Sequence, residues 1–164
     1  SSLRYNKKTY NDFRKIILLP YFLEDEKKVF KYFKKLIFLK KKNFFPKLKV
    51  RNHPAMQKSK KHLYLKNKIK KFIDENHNIF KNNISNNKIC ICLGSTASVI
   101  EGLERGYKVF HIYCDPDFEK FQNYYWKSLK TLSYHKNICE YELKVKGKII
   151  KLNTSKKTKL VTKF

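Results

Sequence analysis

The run KICICLGSTASVIEGLERGYKVFHIY, residues 88–113, contains a complete strand, turn, helix and second strand. KICICL is short and apolar on both sides of the pleat, the pattern of a strand buried on two faces. It stops at Gly94, which permits a tight turn or close approach of another group. Ser95, Thr96 and Ser98 then straddle the start of a helix whose packing face is Ala97, Val99, Ile100 and Leu103. Gly106 ends that helix. YKVFHIY reads as the next strand.

The same order recurs upstream. IILL within residues 15–19 is a buried-strand run closed by Pro20. Glu24, Asp25 and Glu26 suit the positive end of a helix, and Val29, Phe30, Phe33, Leu36 and Ile37 repeat at spacings of three and four. A strand is predicted over 47–51, ending in the turn Asn52-His53-Pro54. A helix packed on one face, carrying Leu63, Leu65, Ile69, Phe72 and Ile73, is predicted within 58–75, and a short strand within 78–87. Beyond residue 113, a further helix is expected over 115–132. Two extended segments around Gly147, a hairpin, are expected after it. The prediction is an α/β domain: a mostly parallel, Rossmann-like sheet over 15–136 with helices on both faces. Residues 1–14 are expected to be an extension or linker, and 137–164 a C-terminal hairpin and tail.

Composition narrows the function classes. The 164 residues carry a net charge of +26, with 41% hydrophobic content. Only Arg4, Arg14, Arg51 and Arg105 are arginines, so nearly all the positive charge is lysine. Such an excess favours polyanionic partners, but arginine is the usual fork for phosphate and guanine edges. Together with the absence of a recognisable reader motif, this argues against nucleic acid as the partner. Solvated surface lysine and a functional basic face both remain open. No apolar run approaches the 18 or so residues of a membrane span. Cys90, Cys92, Cys114 and Cys139 lack a close-spaced zinc pattern and read as buried thiols in a reducing compartment.

Ligands of an open α/β sheet sit at the carboxyl ends of its strands, so the turns after IILL, LKVRN and ICICL are the places to look. His53 follows its strand directly, and Pro54 fixes the chain after it. Its imidazole suits a phosphate oxygen or a plain loop contact. Arg51 lies two positions earlier, on a side set by the pleat. Gly94, Ser95, Thr96 and Ser98 offer amide and hydroxyl donors of the kind a phosphate needs, or an ordinary helix cap. The pattern is neither a dinucleotide fingerprint nor a P-loop. Glu101, on the following helix, could accept ribose hydroxyls, while Glu104 reads as a surface residue.

IILLPYFLEDE, LKVRNHPAM and CLGSTASVIEGLERGYKVFHI, taken in that order, resemble the C-terminal nucleotide-binding half of GT-B type glycosyltransferases. The likeness is to bacterial enzymes of capsule, lipooligosaccharide and sialic-acid assembly, and it spans about residues 15–113. In that family a His-Pro pair after a strand binds the nucleotide phosphate, and His53-Pro54 matches it. A Ser-Ser or Ser-Thr pair at a helix start matches Ser95-Thr96, and Glu101 is the matching ribose contact. Asn52 departs from the basic residue or proline usual before the pair.

The resemblance implies a nucleotide-sugar donor, CMP-linked first and UDP- or CDP-linked next, with no metal or other cofactor. It implies a glycan or lipid-linked acceptor, His53 as the catalytic residue, and an acceptor half supplied by an N-terminal domain or a partner chain. Cytoplasmic placement, with peripheral contact at the inner face of an anionic membrane, follows from the same likeness and the charge. A basic nucleic-acid-binding module and a non-catalytic remnant of the transferase fold are the alternatives.

Overall fold

A computed structural model describes residues 15–40, 48–76, 88–122 and 124–144. The strands are β1 (Lys15–Leu18), β2 (Lys49–Arg51), β3 (Ile89–Leu93), β4 (Lys108–Ile112), β5 (Leu129–His135) and β6 (Ile138–Leu143). The helices are α1 (Glu26–Leu39), α2 (Lys60–Glu75), α3 (Ser98–Glu104) and the single turn α4 (Pro116–Glu119). All six strands form one sheet in the order β2-β1-β3-β4-β6-β5. The first four are mutually parallel, and β6 runs antiparallel to β4 and β5. The fold is α/β with a mostly parallel sheet, and the four strands predicted near 15–19, 47–51, 88–93 and 107–113 are its parallel part.

Alternation along each strand divides the core. Ile17, Ile91, Leu93, Phe110 and Ile112 face α1 and α2, where Phe33, Leu36, Leu65 and Ile69 complete one cluster. Ile16, Cys90, Cys92, Val109 and Tyr113 face the other way, against Val99 and Leu103 of α3. Gly102 lets α3 sit close to the sheet: an added Cβ there would lie 3.1 Å from Val109 Cγ2. α1 starts where the acidic run predicts, with Asp25 Oδ1 accepting the Lys28 amide at 2.9 Å.

Two expectations need correction. Among the described residues no long helix follows β4. Asp115 caps α4, its Oδ1 accepting the amides of Asp117 and Phe118 at 3.0 and 3.4 Å, but the helix ends at Glu119. The aromatic residues of 118–126 do not share a buried stripe: Phe118, Tyr124 and Tyr125 are exposed, while Phe121 and Trp126 pack on the α3 face. Tyr141 Oη accepts the Phe121 amide at 3.0 Å and ties the chain there. Residues 129–132, read as the end of that helix, instead begin β5 because β6 supplies a ladder for them.

The second correction concerns the hairpin. Among the described residues it is β5–β6, turning at Lys136–Asn137, and its second strand lies inside the sheet. The boundary expected between 136 and 137 therefore falls at this turn, with sheet on both sides. The proposed turn around Gly147, the short strand within 78–87 and the 1–14 extension lie outside the described residues.

A buried carboxylate secures the hairpin. Glu140 of β6 accepts a hydrogen bond from the Tyr134 hydroxyl and pairs with Lys108 Nζ at 3.1 Å and Lys40 Nζ at 3.5 Å. Burial alone would raise its pKa. The hydrogen bonds from Tyr134 and Lys108 and the nearby lysine charges outweigh that and hold it below the usual range.

Gly94 and Gly106 both lie in the left-handed region, at φ 70° and 79°. A Cβ at Gly94 would also stand 3.1 Å from Pro20 Cγ, whereas at Gly106 none of the described residues would come within 4 Å of it. Urea unfolding should therefore separate them. Gly106→Ala should cost about 1 kcal/mol of backbone strain. Gly94→Ala should cost more, because Pro20 must move as well; equal losses would refute the close packing.

Candidate functional site

The carboxyl ends of β1, β2, β3 and β4 share one edge of the sheet, and the chain leaves them in four different ways. Leu19 donates its amide to Arg51 O at 3.0 Å, so the exits of β1 and β2 are zipped together. Pro54 then opens a single 3-10 turn, Pro54–Met56, capped by His53. His53 Nδ1 accepts the Ala55 amide at 3.3 Å, and the Tyr21 ring meets the imidazole edge-on at 5.2 Å. Because Nδ1 is an acceptor, the neutral ring carries its proton on Nε2.

A cleft of about 270 Å³ opens beside this turn. Its apolar part comes from β1 and β3, through Ile16, Leu18 and Cys90. Its polar part comes from Arg51, Asn52 and His53 at the exit of β2 and from Ser98, Glu101 and Arg105 around α3. Among the described residues, α3 is short and packs chiefly on β3, β4 and β6, and none of them covers the β1 end of that face, where the cleft lies. Glu101 Oε1 and Arg105 Nη2 pair at 2.7 Å, one helical turn apart. Asn52 Oδ1 is buried and has no hydrogen-bond partner among the described residues, a costly state that a donor from a ligand would relieve.

Four of the seven residues singled out from sequence therefore line one cleft: Arg51, His53, Ser98 and Glu101. Gly94, Ser95 and Thr96 are not in its wall. Helix α3 begins at Ser98, not at Ser95, with Ala97 at its cap position. Thr96 Oγ1 accepts the Ser98 amide at 3.1 Å, a local turn bond. Ser95 is exposed. The close approach that Gly94 permits is that of Pro20, not of a ligand.

Sequence reading missed Arg105, although its position four residues after Glu101 is the signal for a helical ion pair. It also missed Asn52, noted there only as a departure from a pattern. His111 is a third omission. The imidazole is fully buried, and Nε2 donates to Gly94 O at 2.9 Å. Gly94 N in turn donates to Ile112 O at 2.7 Å. β4 thus grips the turn after β3 from both sides.

His62 does the same for β1. It is buried on α2, with Nε2 donating to Pro20 O at 2.8 Å and Nδ1 accepting from Ser59 Oγ at 2.9 Å. The three buried cysteines and Cys114 are all free thiols.

No protein-family model matches the chain, and neither does any curated protein or any solved structure. The class established by the fold is an α/β domain with a cleft on the α3 face of its sheet that reaches the exits of β1 and β2. No helix among the described residues is long and apolar enough to cross a membrane.

Burial lowers the pKa of His111 to about 4, against a smaller upward pull from its bond to Gly94. Its folded value lies below its unfolded one, so its contribution is fully present above about pH 6.5 and is lost as pH falls toward 4. Stability should drop over that window by roughly 3 kcal/mol from this residue. Urea midpoints at pH 7.5, 5.5 and 4.5 for the parent and for His111→Gln check this. The variant should be less stable at pH 7.5 and flatter below it, and parallel curves would remove His111 as the cause.

Proposed function

We propose that the cleft binds the phosphate-bearing part of a nucleotide-sugar and that the domain is the donor half of a glycosyltransferase acting on surface carbohydrate. One observation carries this reading. Arg51 and His53 at the exit of β2 meet Ser98 and Glu101 of α3 in one cleft that reaches the edge where parallel α/β sheets take their ligands. Nothing in the spacing of a plain surface turn requires that meeting.

The chemistry follows from the donors. In transfer, the acceptor oxygen attacks the anomeric carbon, the bond from that carbon to the phosphate oxygen breaks, and the nucleotide leaves with the electron pair. The acceptor proton passes to a base, which in this reading belongs to a second domain or a partner chain. Negative charge grows on the leaving phosphate, and preorganised donors lower the barrier by meeting it there. Arg51 and the Nε2–H of His53 are such donors, and the Ser98 hydroxyl is a third. Glu101, oriented by Arg105, accepts the ribose hydroxyls.

The bond from the Ala55 amide restricts the part His53 plays. Nδ1 is engaged by that amide, so Nε2 is the ring nitrogen His53 offers to a ligand.

A thermal-shift panel with CMP, UMP, CDP, UDP, AMP and GDP at matched ionic strength tests the reading, since a ligand of the folded state raises its apparent stability. A cytidine or uridine nucleotide should shift the midpoint most. His53→Ala should weaken that binding roughly tenfold or more, the worth of one hydrogen bond to a charged group, with little change in unliganded stability. No shift with any nucleotide, or an identical shift in the variant, would sink the proposal.

A further inference from the structure

Ile-Cys-Ile-Cys-Leu gives β3 two thiols two positions apart. The period of two turns both to the same face of the sheet, toward α3. Both are buried, Cys90 at 1% and Cys92 at 0% exposure, and their sulfurs lean together to 3.7 Å. Burial accounts for thiols in this core, since a free cysteine packs as a small apolar residue. It does not account for the converging sulfurs, nor for the place of Cys90, which forms part of the cleft wall. Gly102 stands beside it, and even an added Cβ there would lie 3.7 Å from Cys90 Sγ. The sulfur pair is thus inside the core but next to an opening.

Two fates are open to neighbouring thiols, and distance separates them. A disulfide needs its Cβ atoms within about 4.5 Å of each other. Residues two apart in a strand keep theirs roughly 6.6 Å apart, at about 3.3 Å of rise per residue. β3 is paired along both edges, with β1 and with β4, so closing that gap would break ladder hydrogen bonds on two sides. A shared metal ion needs no such movement. With metal–sulfur bonds of about 2.3 Å, the length found for zinc, two sulfurs on one ion stand about 3.8 Å apart at the tetrahedral angle and about 4.6 Å apart when opposed. The observed 3.7 Å meets the lower end of that span, and rotation about the two Cα–Cβ bonds covers the rest.

Ligand count then selects the ion. Among the described residues no group of three or more His, Cys, Asp or Glu could hold a metal, so a site here has two protein donors, both sulfur. Zinc takes three or four. Thiolate is the ligand that selects Cu(I), and this closed-shell ion is satisfied by two.

We infer that Cys90 and Cys92 form a two-sulfur site for Cu(I) in the floor of the cleft. Binding releases both thiol protons to solvent and forms two Cu–S bonds. No electron is transferred, and the ion with its thiolates carries a single net negative charge. Arg51 and Arg105 line the same cleft and offset that charge. Glu101 opposes it, but is paired with Arg105 at 2.7 Å. The ion enters past Cys90, the member of the pair that meets the cleft. The site does not rest on the nucleotide assignment.

The test uses the full chain, reduced and free of oxygen, with Cu(I) supplied as its bathocuproine disulfonate complex, whose colour fades as the ion is given up. The parent should take one Cu(I) per chain from the chelator. Cys90→Ala and Cys92→Ala should each weaken uptake by more than about a hundredfold, beyond the 10–100-fold that changes outside a metal's ligand set produce. Cys114→Ala and Cys139→Ala, made separately, should leave it unchanged. Where a core variant fails to fold, X-ray absorption at the copper edge of the loaded parent decides alone: two sulfur neighbours and no nitrogen are expected.

No uptake by the parent, uptake by Cys90→Ala equal to the parent's, or three or more sulfur or nitrogen neighbours would overturn the inference. So would a Cys90–Cys92 disulfide formed in the folded chain by a mild oxidant, because the strand would then close the gap and the sulfur separation would no longer select a metal.

Discussion

The junction at Gly94 holds the carboxyl edge together. Its amide bonds to Ile112 O, its carbonyl accepts from the buried His111, and its missing side chain leaves room for Pro20. Three strand exits, those of β1, β3 and β4, are thereby fixed relative to one another. His62 extends the same lock to α2 through Pro20 O, and the Leu19–Arg51 bond extends it to β2. His53 and α3 inherit their positions from this set. A buried histidine can serve here because each imidazole gives one N–H to a carbonyl that would otherwise be unpaired in the core.

The two faces of the sheet are built for different purposes. On one, two long helices cover the inner strands and send lysine outward, while Leu132 of the edge strand β5 stays exposed. On the other, a seven-residue helix covers β3, β4 and β6, and the space that the described residues leave over β1 is the cleft. That cleft has apolar walls from the strands and polar groups from the strand exits, the usual composition of a small-ligand site. The same shortness that opens it gives Glu101 and Arg105 a place in its wall. Fold and candidate site thus have one cause, a crossover helix too short to span the sheet.

Much of this was legible from residue types in order. Ile-Cys-Ile-Cys-Leu could be buried on both sides only within a sheet covered on both faces. The acidic cluster Glu24–Glu26 and the three-and-four spacing of Val29, Phe33 and Leu36 specified α1 and its buried side. Arg51, His53, Ser98 and Glu101 could be chosen as candidates because topology places strand exits together whatever their separation in sequence. Local pattern is sufficient for such elements because their hydrogen bonds and burial are set by period and by position in the crossover.

What only the tertiary structure decided lies where a residue's partner is remote. Residues 129–132, Leu-Lys-Thr-Leu, have an apolar spacing that also suits the end of a helix, and they became strand because β6 offers backbone partners to them. Gly94 received Pro20 rather than a phosphate because the β1 exit packs against it. Thr96 spent its hydroxyl on the Ser98 amide, which moved the start of α3 away from Ser95. His111 reads in sequence as one more residue of a buried strand, and its hold on Gly94 appears only when β3 and β4 are side by side. Sequence specifies local period and donor type, whereas the pairing of a turn with another turn depends on packing between segments that are distant along the chain.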